Sequence, residues 1–229
     1  MPPSLDLTER VLYRDTLVII IDKPAGLPVH AGPKGGDNLE RYFGQLKFGL
    51  PHPPGLGHRL DRDTCGCLAL GRHRRALAKL GRIFSSGKAK KTYWALVVGA
   101  PVKPQGTVDL PLAKRSLERG WWMKVDADGQ RAVTRYRTLG RHGDLTWLEL
   151  EPKTGRTHQI RVHCAALGCP VQGDPIYGEP ATQSLAAKPL ALLARRLALP
   201  LHAGEPDIVA EAMPPPHMID GLAHCGYKR

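Results

Sequence analysis

His58-Arg59-Leu60-Asp61-Arg62-Asp63-Thr64-Cys65-Gly66 sets one aspartate between two arginines and follows it with small residues. A guanidinium beside a carboxylate favours its ionised form, so Asp61 reads as a group suited to nucleophilic attack or electrostatic stabilisation. A general acid would need the opposite environment. A structural ion pair is the plainer alternative. Ten Lys and Arg side chains fall between His58 and Lys91 against only Asp61 and Asp63. Positive charge concentrated beside a candidate carboxylate suits a site that draws in a phosphate backbone, although a charge run can also be only a solvated face. A second segment, Thr154-Gly155-Arg156-Thr157-His158-Gln159-Ile160-Arg161-Val162-His163, again joins charge to glycine in a way a core does not need. There Arg156 and Arg161, near the start of an expected helix, could hold phosphate, pair with a carboxylate or line a solvated face.

Outward from these segments, the chain has the size and composition of one large domain, read here as spanning residues 1–229. Of its 229 residues 42% are hydrophobic and 24% charged, which excludes an extended disordered chain and supports a real core. The net charge of +12 points to a polyanionic partner, with nucleic acid the leading class. No apolar signal region opens the sequence and no run approaches the roughly 18 apolar residues of a membrane span, so a cytoplasmic protein without membrane contact is expected. Cys65, Cys67, Cys164, Cys169 and Cys225 lack the paired spacing of a zinc site. Free thiols are expected, with Cys65 and Cys67 as small packing residues near a tight turn and no metal.

The run Leu17-Val18-Ile19-Ile20-Ile21 is a buried strand broken by Asp22-Lys23-Pro24-Ala25-Gly26. Between Pro28 and Gly57 only Leu39 to Phe48 has helical spacing, with Leu39, Tyr42, Phe43 and Leu46 on one face; the remainder reads as loop. Ala76, Leu77, Leu80, Ile83 and Phe84 make one side of a basic amphipathic helix that ends at Ser85-Ser86-Gly87. Thr92 to Val98 reads as a strand. Ala132 to Leu139 and Leu145 to Glu151 read as an antiparallel hairpin, and His158 to Leu167 as a helix capped by Gly168. Beyond Gly178 only Leu190 to Leu193 reads as a strand. Strands and helices without βαβ alternation make an α+β domain.

Phosphate-loop, dinucleotide, zinc-protease and serine-hydrolase motifs are missing. What the chain does carry resembles the RluA-type pseudouridine synthase family. His58 to Gly66 is similar to its H-R-L-D-x-x-T-S-G signature, Lys91-Thr92-Tyr93-Trp94-Ala95-Leu96-Val97 to its K-x-Y-x-A-x-V motif, and Gly155 to His163 to its third motif. Lys23-Pro24-Ala25-Gly26-Leu27 and Gly173-Asp174-Pro175-Ile176-Tyr177-Gly178 match further family elements, all in the family's order. Cys65 stands in place of the usual serine and Cys67 in place of an aliphatic residue. The resemblance is to short members without a separate N-terminal RNA-binding module.

The resemblance implies an enzyme that converts uridine in RNA to pseudouridine by detaching the base from C1′, turning it and rejoining it through C5, with no cofactor. It assigns the catalytic role to Asp61, which attacks the ribose or assists base departure. Tyr93 is implied to lie against the target base and to take the C2′ proton, Arg161 to pair with the catalytic aspartate, Arg59 to fill the gap left by the flipped uridine, and Arg156 to touch phosphate. Flipping a base costs a few kcal/mol and least where it is unstacked, so structured loops of ribosomal or transfer RNA are the expected targets. The implied fold is a bent, mainly antiparallel mixed β-sheet flanked by helices and loops, with a central RNA-binding cleft, acting as a monomer without an obligate protein partner. Two other classes were weighed: an RNA-binding protein that lost catalysis, against which Asp61, Tyr93 and Arg161 stand, and an RNA-cleaving enzyme using His58 and His158 as acid and base, which leaves Asp61 and Tyr93 unexplained.

Overall fold

A computed structural model describes residues 5–32, 35–115, 122–178 and 188–228. Its strands are β1 (Val11–Arg14), β2 (Val18–Lys23), β3 (Gly55–Leu56), β4 (Cys65–Gly71), β5 (Lys90–Val98), β6 (Gln105–Asp109), β7 (Leu112–Lys114), β8 (Met123–Val125), β9 (Val133–His142), β10 (Leu145–Pro152), β11 (Leu192–Leu199) and β12 (Ile208–Glu211). The helices are α1 (Arg74–Ser85), α2 (Gln159–Ala166) and α3 (Pro216–His224), with a 3-10 helix over Leu39–Leu46. The chain forms two compact units, one of Met1–Lys91 with Ala194–Met213 and the other of Thr92–Leu193 with Pro214–Arg229.

In the first unit β2 pairs antiparallel with both β1 and β4, β3 also pairs with β4, and β12 pairs with β11. Val18, Ile19, Ile20 and Ile21 have no exposure, which is why the β-branched run reads as a strand covered on both faces. Each fully buried side chain of this size contributes about 1.5–3 kcal/mol. The run therefore anchors β2 firmly and fixes where Lys23 falls at its end. All seven residues of β4 are buried. Its neighbour β11 approaches so closely that a Cβ on Gly66, whose φ is +106°, would lie 2.4 Å from the Ala194 carbonyl oxygen. Glycine is required there. The register pairs Val18 with Gly71 and Lys23 with Gly66, so the Asp61 segment enters β4 at the Lys23 end.

Helix α1 buries Ala76, Leu80 and Ile83 and exposes Arg74, Arg75 and Arg82, with Lys79 half-buried, as its spacing predicts. His73 caps it by accepting the Ala76 N–H at 3.3 Å. In the 3-10 helix Leu39, Phe43 and Leu46 are buried, while Tyr42 lies at the rim and donates to Asp37. The two-residue strand β3 falls in a stretch read as loop.

In the second unit the antiparallel order is β5, β10, β9, β6. The expected hairpin is β9 with β10. Ala95 and Val97 of β5 and Leu148 and Leu150 of β10 meet Ile160 and Cys164 of α2, and Cys169, Val171, Leu190 and Leu192 complete this core. Helix α2 is buried through Gln159, Ile160, Arg161, Val162, His163 and Cys164, and Gly168 ends it with φ +74°. β7 and β8 pair with each other as a small ribbon. The expected strand at Leu190 to Leu193 overlaps the longer β11 only at Leu192 and Leu193. Neither β12 nor α3 was expected: α3 is short and introduced by Pro214 and Pro215, with Pro216 in its first turn, where a missing N–H costs nothing.

Candidate active site

Asp61 sits in a turn closed by the Thr64 N–H on its own carbonyl at 3.3 Å. Beneath this turn lies Lys23, with no exposure. Its Nζ donates to the carbonyl oxygens of Pro24 at 2.8 Å, Arg62 at 2.9 Å and Thr64 at 2.9 Å. An ammonium has three protons and each finds an acceptor, which is the condition for burying the group at all. Burial still lowers its pKa to about 8, a shift opposed by Cys65 and by the carboxylates of Asp63, Asp61 and Asp22. Lys23 thus grips the backbone just after Asp61 and leaves the Asp61 carboxylate half-exposed. Arg62 ties the turn to the preceding loop through its Nε on the Gly26 carbonyl at 3.0 Å. Arg59 is exposed.

His58 has a different task from the acid-base role weighed for it. Its Nε2 accepts the Ala69 N–H at 3.0 Å, and its ring stacks on Phe84 with centroids 4.4 Å apart. Removal from water, reinforced by Lys91, lowers its pKa to about 3. The ring is therefore neutral at ordinary pH and occupied by a structural hydrogen bond. Cys65 and Cys67 are 3% and 2% exposed, and burial pushes both thiols up to about 12. The Cys67 Sγ donates toward the Ala210 carbonyl at 3.5 Å. These are packed, protonated side chains. Among the described residues no three His, Cys, Asp or Glu side chains gather as a metal site.

The remaining sequence-derived candidates lie in the second unit. Tyr93 stands on β5 opposite Leu150 and packs partly buried against the core. Arg156 is exposed, its Nε donating to the Arg131 carbonyl at 3.1 Å. Arg161, far from lining a solvated helix face, is 3% exposed. Its Nε and Nη2 donate to the two carboxylate oxygens of Asp174, both at 2.7 Å. The resemblance implied a catalytic aspartate as partner; the fork seen in this unit is with Asp174. Asp61 and Arg59 belong to the first unit, and Tyr93, Arg156 and Arg161 to the second.

The polar residues around Arg161 explain much of the third motif. Gln159 donates its Nε2 to the Val133 carbonyl and to Thr134 Oγ1, while its Oε1 accepts from Thr154 Oγ1 and from the Arg156 N–H. His163 donates from Nε2 to the Leu110 carbonyl at 3.1 Å, leaving Nδ1 to accept from Thr134 at 2.9 Å; burial lowers its pKa. His158, at the helix N-cap, has a left-handed backbone with φ +51°. Its Nδ1 lies 2.8 Å from the Tyr177 hydroxyl, which also accepts the Met123 N–H at 2.9 Å. Thr154, Gln159, His163, Lys23 and Asp174 all lie in segments the sequence marks out, but it gives none of them a role of its own. Their types are ordinarily exposed, and only a polar residue beside an apolar run hinted otherwise.

Residues 17–166 match the family model described as RNA pseudouridylate synthase. An uncharacterised RNA pseudouridine synthase of Zymomonas mobilis is 46% identical over 160 residues, covering 69% of this chain and 73% of that protein. Another, from Synechocystis, is 37% identical over 220 residues, covering 93% and 67%. The ribosomal large subunit pseudouridine synthase D of Xanthomonas campestris is 41% identical over 167 residues, covering 71% and 49%. The solved structure of human RNA pseudouridylate synthase domain containing 4 superposes with a TM-score of 0.79 at 29% identity, covering 96% and 94%. An α+β fold of this kind, with these motifs, defines an isomerase that acts on RNA. The chain belongs to the RNA pseudouridine synthase family.

Proposed function

We propose that the chain isomerises selected uridines in ribosomal or transfer RNA, with Asp61 as its catalytic residue. One observation carries the assignment: Lys23 fixes the backbone just after Asp61, at Arg62 and Thr64, while the Asp61 carboxylate stays half-exposed, available for chemistry instead of for folding. An ionised carboxylate attacks C1′ or assists departure of the uracil, and the base rejoins through C5. The product has the atoms of the substrate, so the reaction requires no cofactor. Tyr93 offers a flat ring to the target base and a phenol that can take the C2′ proton. Arg59 fills the space of the extruded uridine, Arg161 serves as a substrate-site guanidinium, and Arg156 meets phosphate. The basic face of α1 guides the RNA without reading its sequence.

A ribosomal target is supported by the likeness to the Xanthomonas ribosomal large subunit pseudouridine synthase. No helix among the described residues is long and apolar enough to cross a membrane, and this fits the cytoplasmic setting we propose for a monomer whose residues 1–229 act as one catalytic domain. The test is to map pseudouridine across total RNA treated with the purified chain or with Asp61→Asn. Sites formed by the wild type should vanish in the variant while RNA affinity stays within a few fold. Near-normal turnover by Asp61→Asn would falsify the assignment.

A further inference from the structure

Asp174 is the most heavily committed carboxylate of the second unit. Its side chain has no exposure. Oδ2 accepts from Arg161 Nε, and Oδ1 accepts from Arg161 Nη2 as well as from the Ile176 N–H at 2.9 Å and the Tyr177 N–H at 3.1 Å. The same carboxylate therefore does two things. It holds both donor edges of one guanidinium in a plane, and it pins the turn whose third residue on is Tyr177. That tyrosine in turn places its ring 5.1 Å from the Arg161 guanidinium carbon and its hydroxyl between His158 and the backbone of β8. Arg161 is thus oriented from two sides by a single short turn, Asp174 to Tyr177.

Simple stabilisation does not account well for this arrangement. A buried ion pair gives little net stability over an apolar pair of the same volume, because both charges must leave water. What a bidentate fork adds is geometry, and a lysine in place of Arg161 could not reproduce it. We propose that Asp174 is a positioning residue for the isomerisation: it sets the angle and depth at which Arg161 is presented to the reacting nucleotide. The proposal rests on the functional reading above and goes beyond it by assigning a role to a residue that touches no substrate. A misplacement of about 1 Å remote from the chemistry can cost about 100-fold in rate.

The experiment uses the full chain and an RNA carrying a mapped target uridine, with single-turnover rates, RNA binding and thermal unfolding measured for Asp174→Asn, Asp174→Glu, Arg161→Lys and Asp174→Asn/Arg161→Lys. Asn keeps the shape but turns an N–H donor toward a guanidinium that needs acceptors. Below the unfolding temperature, Asp174→Asn should lose about 100-fold in rate with RNA affinity within a few fold. Asp174→Glu should recover part of that loss, and the double variant should be no slower than Arg161→Lys, because both act through one guanidinium. A folded Asp174→Asn within about threefold of the wild-type rate, or losses that multiply in the double variant, would overturn the proposal. Should Asp174→Asn fail to fold, Asp174→Glu decides: a folded variant at the wild-type rate refutes positioning, and a folded slow one with normal RNA affinity supports it. Failure of the functional reading is seen separately, as turnover retained by Asp61→Asn.

Discussion

Asp61 and Asp174 are two aspartates with arginines close by in the sequence or the fold, and their carboxylates are placed in opposite ways. Asp174 accepts four hydrogen bonds and has a fully covered side chain. Asp61 is held by its backbone, through the carbonyls that Lys23 grips, and its carboxylate remains half-exposed. A carboxylate saturated with donors has been committed to structure. One whose position is secured by neighbouring peptide groups keeps its lone pairs open, as the catalytic role we propose for Asp61 requires. The contrast shows that an Asp-Arg neighbourhood in a sequence does not by itself distinguish the two uses; the accepting atoms do.

The sharpest way to break the comparison is Asp61→Asn. It should abolish pseudouridine formation while leaving the unfolding temperature nearly unmoved, since no fold-determining bond passes through that carboxylate in the arrangement around Lys23. Arg161→Met should show the reverse emphasis. It strands the buried Asp174 charge, and loss of one partner of such a pair costs about 3–5 kcal/mol, measurable by urea unfolding. An Arg161→Met protein as stable as the wild type would show that Asp174 does not depend on its fork.

Lys23 sharpens the same comparison through pH. Its folded pKa of about 8 lies below the ordinary 10.5, so between these values the unfolded chain holds a proton that the folded chain has released. Stability from this group therefore rises with pH across that window, by up to about 1.4 kcal/mol per pH unit, and is lost again as pH falls through about 8. The difference in unfolding free energy between wild type and Lys23→Met should follow that slope, and a flat difference would contradict it. The smallest effect is expected on the basic helix. Changing Arg74, Arg75 and Lys79 to Gln should flatten the salt dependence of RNA binding by about 0.7 to 0.9 per lost phosphate contact and leave saturated turnover intact. A shift of modification to another uridine would instead give this face a share in choosing the target.

Much of the scaffold was readable because local signals agreed with burial. Val18 to Ile21, the β9 and β10 hairpin, the two-sided α1 and the glycine after α2 each carry a period or a cap that only one element satisfies. The short strands β3, β7 and β8 are too brief to show a period, and α3 offers nine residues after a run of prolines. Of the candidate residues, Asp61 in the first unit and Arg161 in the second stand out by charge. The residues that hold them do not, because lysine, aspartate and glutamine carry no mark in a sequence that they will be buried and satisfied. Lys23 becomes legible only once the Arg62 and Thr64 carbonyls are seen to converge on it. His58 is the converse case: a residue with catalytic chemistry whose ring is spent on the Ala69 N–H.

The close passage of Gly66 against Ala194 has a consequence for the order in which a ribosome-born chain can take shape. The first unit is discontinuous, and the strand that flanks β4 arrives more than a hundred residues after β4 itself. Domains tend to fold as their segments emerge, yet the strand leading out of the Asp61 turn, covered on its second edge only by β3 at Leu70 and Gly71, must wait with the rest of that edge open until β11 is made. An uncovered edge of apolar strand invites pairing with other chains. A nascent or truncated product ending near Lys91 would thus carry the whole Asp61 turn and still be the form most prone to aggregate, so that the presence of this motif in a fragment is no guide to whether the fragment can be kept in solution.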